Sequence, residues 1–193
     1  MQHSPHATIE SMIIETTILI IILIGSVAAL IWLISNFTSA LQSSTGGAYF
    51  VPLEEEVSNK MMELADIKPG EMVYDLGCGD ARNLITAVMR YGAQGYGIEV
   101  AILPYFRGRQ QVKLLGLEDK ITIRQDNFFN VNLGGADVIV LNLSTKLNNK
   151  LLAKIKAECK PGTRILSARF PFSHLEPEMV DNSTIYPIFR YLI

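Results

Sequence analysis

The sequence predicts an α/β domain built on a mainly parallel, twisted sheet with helices on both faces, preceded by one transmembrane helix. Three observations carry that expectation. An uncharged apolar run extends from Thr16 to Ile34. Beyond residue 49, short apolar segments alternate with amphipathic ones, the pattern of strand and helix crossover units. The first of those apolar segments closes on a glycine turn, VYDLGCGDAR, spanning Val73 to Arg82.

The amino-terminal run is long enough to cross a bilayer, since about 19 residues at 1.5 Å rise cover about 28 Å. A helix apolar all round has no place in a small soluble domain. Trp32, near its far end, suits the headgroup boundary. A cleaved secretory signal would carry a positive leading segment, whereas residues 1–15 hold no Lys or Arg. The expected organisation is a tail at 1–15, a transmembrane helix at 16–35, a Ser/Thr/Gly-rich flexible linker at 36–48 and a globular domain at 49–193. No Lys or Arg precedes Lys60, so charge bias does not orient the helix.

Within the domain, PLEEEVSNKMMELADI reads as a helix. Pro52 suits a first turn, Glu54 to Glu56 complement the positive helix end, and Val57, Met61, Leu64 and Ala65 recur at helical spacing. Lys68-Pro69-Gly70 breaks it. There follow a strand at Met72–Leu76, a helix at Asp80–Tyr91, a strand at Gln94–Glu99, a helix at about Ile102–Leu115, and strands at Ile121–Gln125 and Asp137–Leu143. A helix at Thr145–Glu158 and strands at Thr163–Phe170 and Ile185–Leu192 complete the series. In the last helix, Leu147, Leu151 and Ile155 face the sheet, and Lys146, Lys150, Lys154, Lys156 and Lys160 form a solvated face, which close to a membrane would also favour anionic lipid.

Composition excludes several function classes. The 193 residues include 17 basic and 19 acidic ones, a net charge of −2, so no global positive field attracts nucleic acid. Cys78 and Cys159 lie far apart and the three histidines are scattered, which leaves no disulfide framework and no expected metal site.

The glycine turn is the chemical signal. In such a sheet, ligands bind beyond the carboxyl ends of the strands, where strand order reverses. A dinucleotide fingerprint wants Gly or Ala at the sixth position from Gly77, and that residue is Arg82. Asp80 also puts a carboxylate where a pyrophosphate would meet the positive helix end. A cationic cofactor without phosphate meets neither objection, and S-adenosyl-L-methionine, with its sulfonium and ammonium, fits. Gly77, Cys78 and Gly79 let the backbone pass close to its aminoacyl part, Asp75 supplies negative charge near the ammonium, and Glu99 is placed to accept from the ribose hydroxyls. In QDNFF, Asp126 or Asn127 is placed to bond the adenine amino group, and Phe128 to cover a ring. Methyl transfer from a sulfonium asks mainly for alignment of a neutral nucleophile and exclusion of water. Asn127, Phe128 and Asn142 are the candidates for that acceptor channel. The motif Asp/Asn-Pro-Pro-Tyr, associated with methylation of exocyclic base amines, is replaced by LNLS.

From AYFVP to IYPIFRYLI, the chain resembles the small class I, seven-strand, Rossmann-like S-adenosylmethionine-dependent protein-lysine methyltransferases. These include broad-specificity archaeal enzymes, bacterial relatives, and single-pass mitochondrial enzymes that methylate the c-ring protein of ATP synthase and the adenine nucleotide translocase. The matching pieces are YFVP, VYDLGCGDAR, GYGIE, DNFFNV, ADVIVLNLS and KPGTRILSARFPF. The resemblance implies a class I methyltransferase domain at 49–193, a protein lysine as acceptor, in a substrate that can itself be membrane-embedded, no nucleic-acid partner, and Phe50 and Pro52 of the YFVP segment at the cofactor. An amino-terminal membrane helix is also found in the mitochondrial and bacterial members, and because the methyl donor is cytosolic, this single-pass membrane protein is expected to hold its catalytic domain in the cytoplasm. Three positions depart from the pattern. Ala81 stands where the family has Gly, Val100-Ala101-Ile102 replaces an Asn-Pro, and Leu53-Glu54 replaces Thr-Pro. By register, the family's Asp or Asn after the third strand falls on Asn127.

Overall fold

The computed structural model describes residues 5–44 and 53–193. Two compact units divide the chain, Met1–Leu41 and Gln42–Ile193. The first is one helix, α1 (Pro5–Ser44), of which Met12–Phe37 is long and apolar enough to cross a membrane. Among the described residues, four polar side chains bond to carbonyls of the helix itself. Thr16 donates to the Met12 carbonyl, Thr17 to that of Ile13 and Ser26 to that of Ile22, and the Asn36 amide donates to Trp32. Hydrocarbon offers no other partner, so this bonding suits a lipid setting. None of that span is buried.

The second unit runs α2 (Glu55–Leu64), β1 (Met72–Leu76), α3 (Arg82–Tyr91), β2 (Gln94–Glu99), α4 (Ile102–Leu114) and β3 (Ile121–Gln125). A 3₁₀ turn at Phe128–Asn130, β4 (Val138–Leu141), α5 (Thr145–Glu158), β5 (Arg164–Ala168), β6 (Met179–Asp181) and β7 (Ile188–Leu192) follow. The seven strands form one sheet in the order β3-β2-β1-β4-β5-β7-β6. Pairing is parallel from β3 through β5, and β7 runs antiparallel to both β5 and β6. This is the doubly wound α/β architecture read from the sequence.

Period-two alternation distributes the core. Val138 and Val140 of β4 pack with α2 and α3 residues such as Met61, Met62, Leu84 and Ala87. Ile139 and Leu141 point the other way, onto Leu147, Leu151 and Ile155 of α5. Every residue of β4 and β5 is buried, as expected for central strands covered on both faces. Arg164 of β5 directs its charge at the end of α2. Its guanidinium donates to the Ala65 and Asp66 carbonyls and pairs with Glu71, satisfying carbonyls that a helix end leaves open.

The structure corrects element ends. The expected helix at Asp80 starts at Arg82, because Ala81 takes a left-handed conformation, φ +66°, that no helix continues. The short strand β6 was not expected, and the terminal strand begins at Ile188 instead of Ile185. Both belong to a hairpin whose bonds, such as Val180 with Phe189, depend on pairing that local pattern does not reveal.

Candidate active site

Strand order reverses between β1 and β4, and the turn after β1 lies at that crevice. The turn is built on glycine. Gly77 has φ +91° and Gly79 φ +55°, and the Gly77 and Cys78 amides both donate to the Ile98 carbonyl of β2. Glu99, at the carboxyl end of β2, reaches back over it. One carboxylate oxygen accepts from Gly79 N–H at 3.0 Å and the other from Ala101 N–H at 2.8 Å. A carboxylate has more acceptor directions than these backbone donors occupy, which leaves capacity for a ligand.

Asp75, the residue before the last of β1, is almost fully buried. It accepts from the Asn83 amide at 3.0 Å, and Asn83 in turn accepts from the Ser58 hydroxyl at 2.6 Å. Burial raises the Asp75 carboxyl to about 7, against the Asn83 bond, with repulsion from Glu99 and Asp80 adding to the rise. Burial likewise raises Glu99, although backbone N–H bonds from Ala101, Gly79 and Val100 oppose it. Asp80 is buried enough to be pushed up, yet its pair with Arg82 outweighs this and holds it low. The Arg82 guanidinium bonds both Asp80 oxygens, at 2.9 and 2.5 Å, and also the Leu53 carbonyl. The cation nearest the turn is therefore committed to a carboxylate.

The charge of this turn tests the fit of a ligand. Three carboxylates converge and the Arg82 cation beside them is engaged, so a pyrophosphate would be repelled and a cation would relieve the mutual repulsion. Asp80 also accepts from Arg82 N–H at the start of α3, filling the helix end a phosphate would use. A sulfonium cofactor with an ammonium group fits these residues.

The remaining expected residues fall around the carboxyl ends of neighbouring strands. Cys78 is buried, and burial raises its thiol well above the ordinary range, so it packs as a neutral group under the turn. Asp126 is half-buried and accepts from Arg124 and from Asn127 N–H. Asn127 is exposed and caps the 3₁₀ turn by accepting from Phe129 N–H at 3.0 Å. Phe128 is only 5% exposed and packs in the core with Leu76 and Ile98, while half-buried Phe129 stacks beside it. Asn142 follows the end of β4, half-buried, and Ser144 is occupied as the cap of α5. Phe50 and Pro52 lie outside the described residues. Leu53, by contrast, is buried in the core.

Three residues that shape the turn were not singled out from sequence. Asn83 and Ser58 build the polar bridge to Asp75. Gly108, inside α4, lets that helix lie against the turn, because a Cβ there would sit 2.8 Å from the Gly79 carbonyl oxygen. Glycine in a helix interior costs stability, which was the available signal.

The pattern of the ANTKMT methyltransferase domain matches residues 75–179, which include Asp75, the glycine turn and Glu99. A protein-lysine N-methyltransferase of Saccharolobus islandicus (strain REY15A) is 32% identical over 149 residues, covering 75% of this chain and 92% of the relative. The chain belongs to the ANTKMT methyltransferase family. A human lysine N-methyltransferase of ATP synthase is 25% identical, over 74% of this chain and 60% of the human one. Among solved structures, an RNA methyltransferase from Salinibacter ruber in complex with S-adenosyl-L-homocysteine superposes with a TM-score of 0.72 at 31% identity, covering 74% of this chain and 94% of that one.

Two substitutions probe how this ANTKMT-family domain builds its turn. Ala81 carries the strain of φ +66°, so Ala81→Gly is expected to stabilise the protein by about 0.5–1 kcal/mol, a Tm rise of about 2–3 °C in a thermal melt. Gly108→Ala is expected to do the opposite. The new methyl pushes α4 off the Gly79 carbonyl, costing about 1–3 kcal/mol and loosening the Glu99 anchor, which calorimetry reads as weaker cofactor binding.

Proposed function

We propose that this chain is a membrane-anchored, S-adenosylmethionine-dependent enzyme that N-methylates lysine side chains of proteins. The observation that carries the cofactor assignment is the acid-lined glycine turn, with Asp75 and Glu99 converging at the point of strand reversal. The lysine assignment is supported by the relatives of Saccharolobus islandicus and human, both lysine N-methyltransferases. The net charge of −2 supports protein over nucleic acid as acceptor.

When bound, the cofactor supplies an electrophilic methyl group on a sulfonium. Asp75 holds the ammonium, its own carboxylate ionised by that contact and oriented by Asn83. Gly77, Cys78 and Gly79 pass their backbone along the aminoacyl part, and Asp80 keeps the helix end closed to anions. Glu99 accepts from the ribose hydroxyls with the lone pairs that Gly79 and Ala101 leave open. Asp126 and Asn127 would address the adenine edge, and the family resemblance adds Phe50 and Pro52 to the cofactor-binding set.

Asn142, at the end of β4, and the Asn127–Phe128 segment flank the acceptor. Phe128 acts from the core by fixing the loop, and the half-buried Phe129 offers the apolar surface. A lysine amine titrates near 10.4, and an apolar channel favours its neutral, nucleophilic form. The amino-terminal helix confines the domain near substrates in the same bilayer and raises their effective concentration. The donor is cytosolic, so the domain lies on the cytoplasmic side.

The test is incubation of native membranes, with and without the protein, with labelled S-adenosylmethionine, followed by peptide mass spectrometry. Label on lysine of membrane-fraction proteins is the expected result. Label confined to RNA or to lipid would move the acceptor to the class to which the Salinibacter ruber enzyme is assigned, or to a small molecule.

A further inference from the structure

We propose that the outward face of α4 is a docking surface for an anionic phospholipid bilayer. The helix is unusual for a surface element. Its buried side is narrow, consisting of Pro104, Gly108 and Val112. Its outward arc carries Ile102, Leu103, Phe106 and Leu114, with Phe106 59% and Leu114 71% exposed, and Leu115 continues the patch past the helix end. Ordinary surface helices turn polar residues outward.

Charge selects the occupant. Arg107, Arg109 and Lys113 are exposed around the same apolar arc, and α4 contains no acidic residue. Among the described residues, no carboxylate pairs with any of the three. Arg109 leans on the ring and hydroxyl of Tyr105 instead. Apolar side chains flanked by arginine and lysine are the composition of helices that lie in the headgroup region. Phe106, Arg109 and Lys113 also rim a groove against Ile121 and Ile123 of β3, with Glu118 at the rim as well. A face carrying Arg107, Arg109 and Lys113 and no acid matches an anionic bilayer better than the same face of a second copy, which would set like charges against each other.

This proposal rests on the anchored reading above. Docking has a consequence for the site, because α4 begins just after Glu99 and Ala101. Seating its first turn in the headgroups brings the cofactor rim of the sheet to the level of the membrane surface, where a membrane-embedded acceptor presents its polar ends.

The experiment is hydrogen exchange by mass spectrometry on the full chain in nanodiscs, with phosphatidylcholine alone or mixed with phosphatidylglycerol. Amide exchange across residues 102–115 is expected to slow at least about threefold in the anionic discs relative to detergent micelles. The slowing is expected to vanish in a Phe106→Glu/Leu114→Glu variant, whose changes are confined to exposed positions. A chain that fails to co-elute with the discs overturns both this proposal and the anchored reading. Co-elution with α4 exchanging at the micelle rate overturns this proposal alone. Protection that appears in micelles and grows with protein concentration also overturns it, and assigns the face to self-association.

Discussion

Asp75→Asn is expected to separate stability from function. The variant should bind S-adenosylmethionine about 100-fold more weakly, the loss of a buried charge-assisted contact, while the protein without cofactor becomes more stable at pH 8. The second effect follows from linkage. The Asp75 carboxyl lies at about 7 in the folded protein against an ordinary 3.8, raised mainly by burial. Between pH 4 and 7 the folded state therefore holds a proton that the unfolded state has lost, so stability falls as pH rises through that window and levels off above it. Asn keeps the shape and the oxygen that accepts from Asn83, and it never ionises. Denaturant melts of the wild type at pH 5 and 8 should differ by the order of a few kcal/mol, and those of the variant by much less. A variant with wild-type affinity, or with an unchanged pH slope, would remove Asp75 from its assigned role.

Glu99→Gln is expected to lower cofactor affinity by a similar factor, about 100-fold, for a different reason. The two oxygens of Glu99 face two backbone donors, Gly79 N–H and Ala101 N–H. Gln has one oxygen, so its NH2 must oppose one of those donors, leaving a buried donor unsatisfied at a cost of about 1–3 kcal/mol. The turn loosens and one ribose acceptor disappears. Unlike Asp75→Asn, this variant should therefore lose both binding in calorimetry and several degrees of Tm. Affinity within threefold of the wild type would contradict it.

The parts of this molecule legible in its sequence are those set by short-range pattern. The alternation of short apolar and amphipathic segments named the strands, and the Gly77/Gly79 turn named the loop at the point of strand reversal, because each depends on position within one or two adjacent elements. The Ser58–Asn83–Asp75 bridge was not legible, since it joins α2, α3 and β1 and appears only once those elements pack. The same holds for Gly108, whose partner is the Gly79 carbonyl on another element. Phe128 shows the complementary difficulty: an aromatic after a strand reads equally as ring cover or core, and its burial assigns it to the core. Ala81 marks a third kind, a left-handed residue whose side chain gives no sign of its conformation. The helix at α4 was legible, but the outward placement of Phe106 and Leu114 was not, since it depends on which face packs against the sheet.

The central claim is that the turn after β1 receives a sulfonium cofactor and not a dinucleotide. Isothermal titration of the full chain in detergent tests it most directly. S-adenosylmethionine should bind at one site per chain and bind about 100-fold more weakly in Asp75→Asn, while NAD gives no heat. Binding of NAD, or of S-adenosylmethionine unaffected by Asp75→Asn, would contradict it.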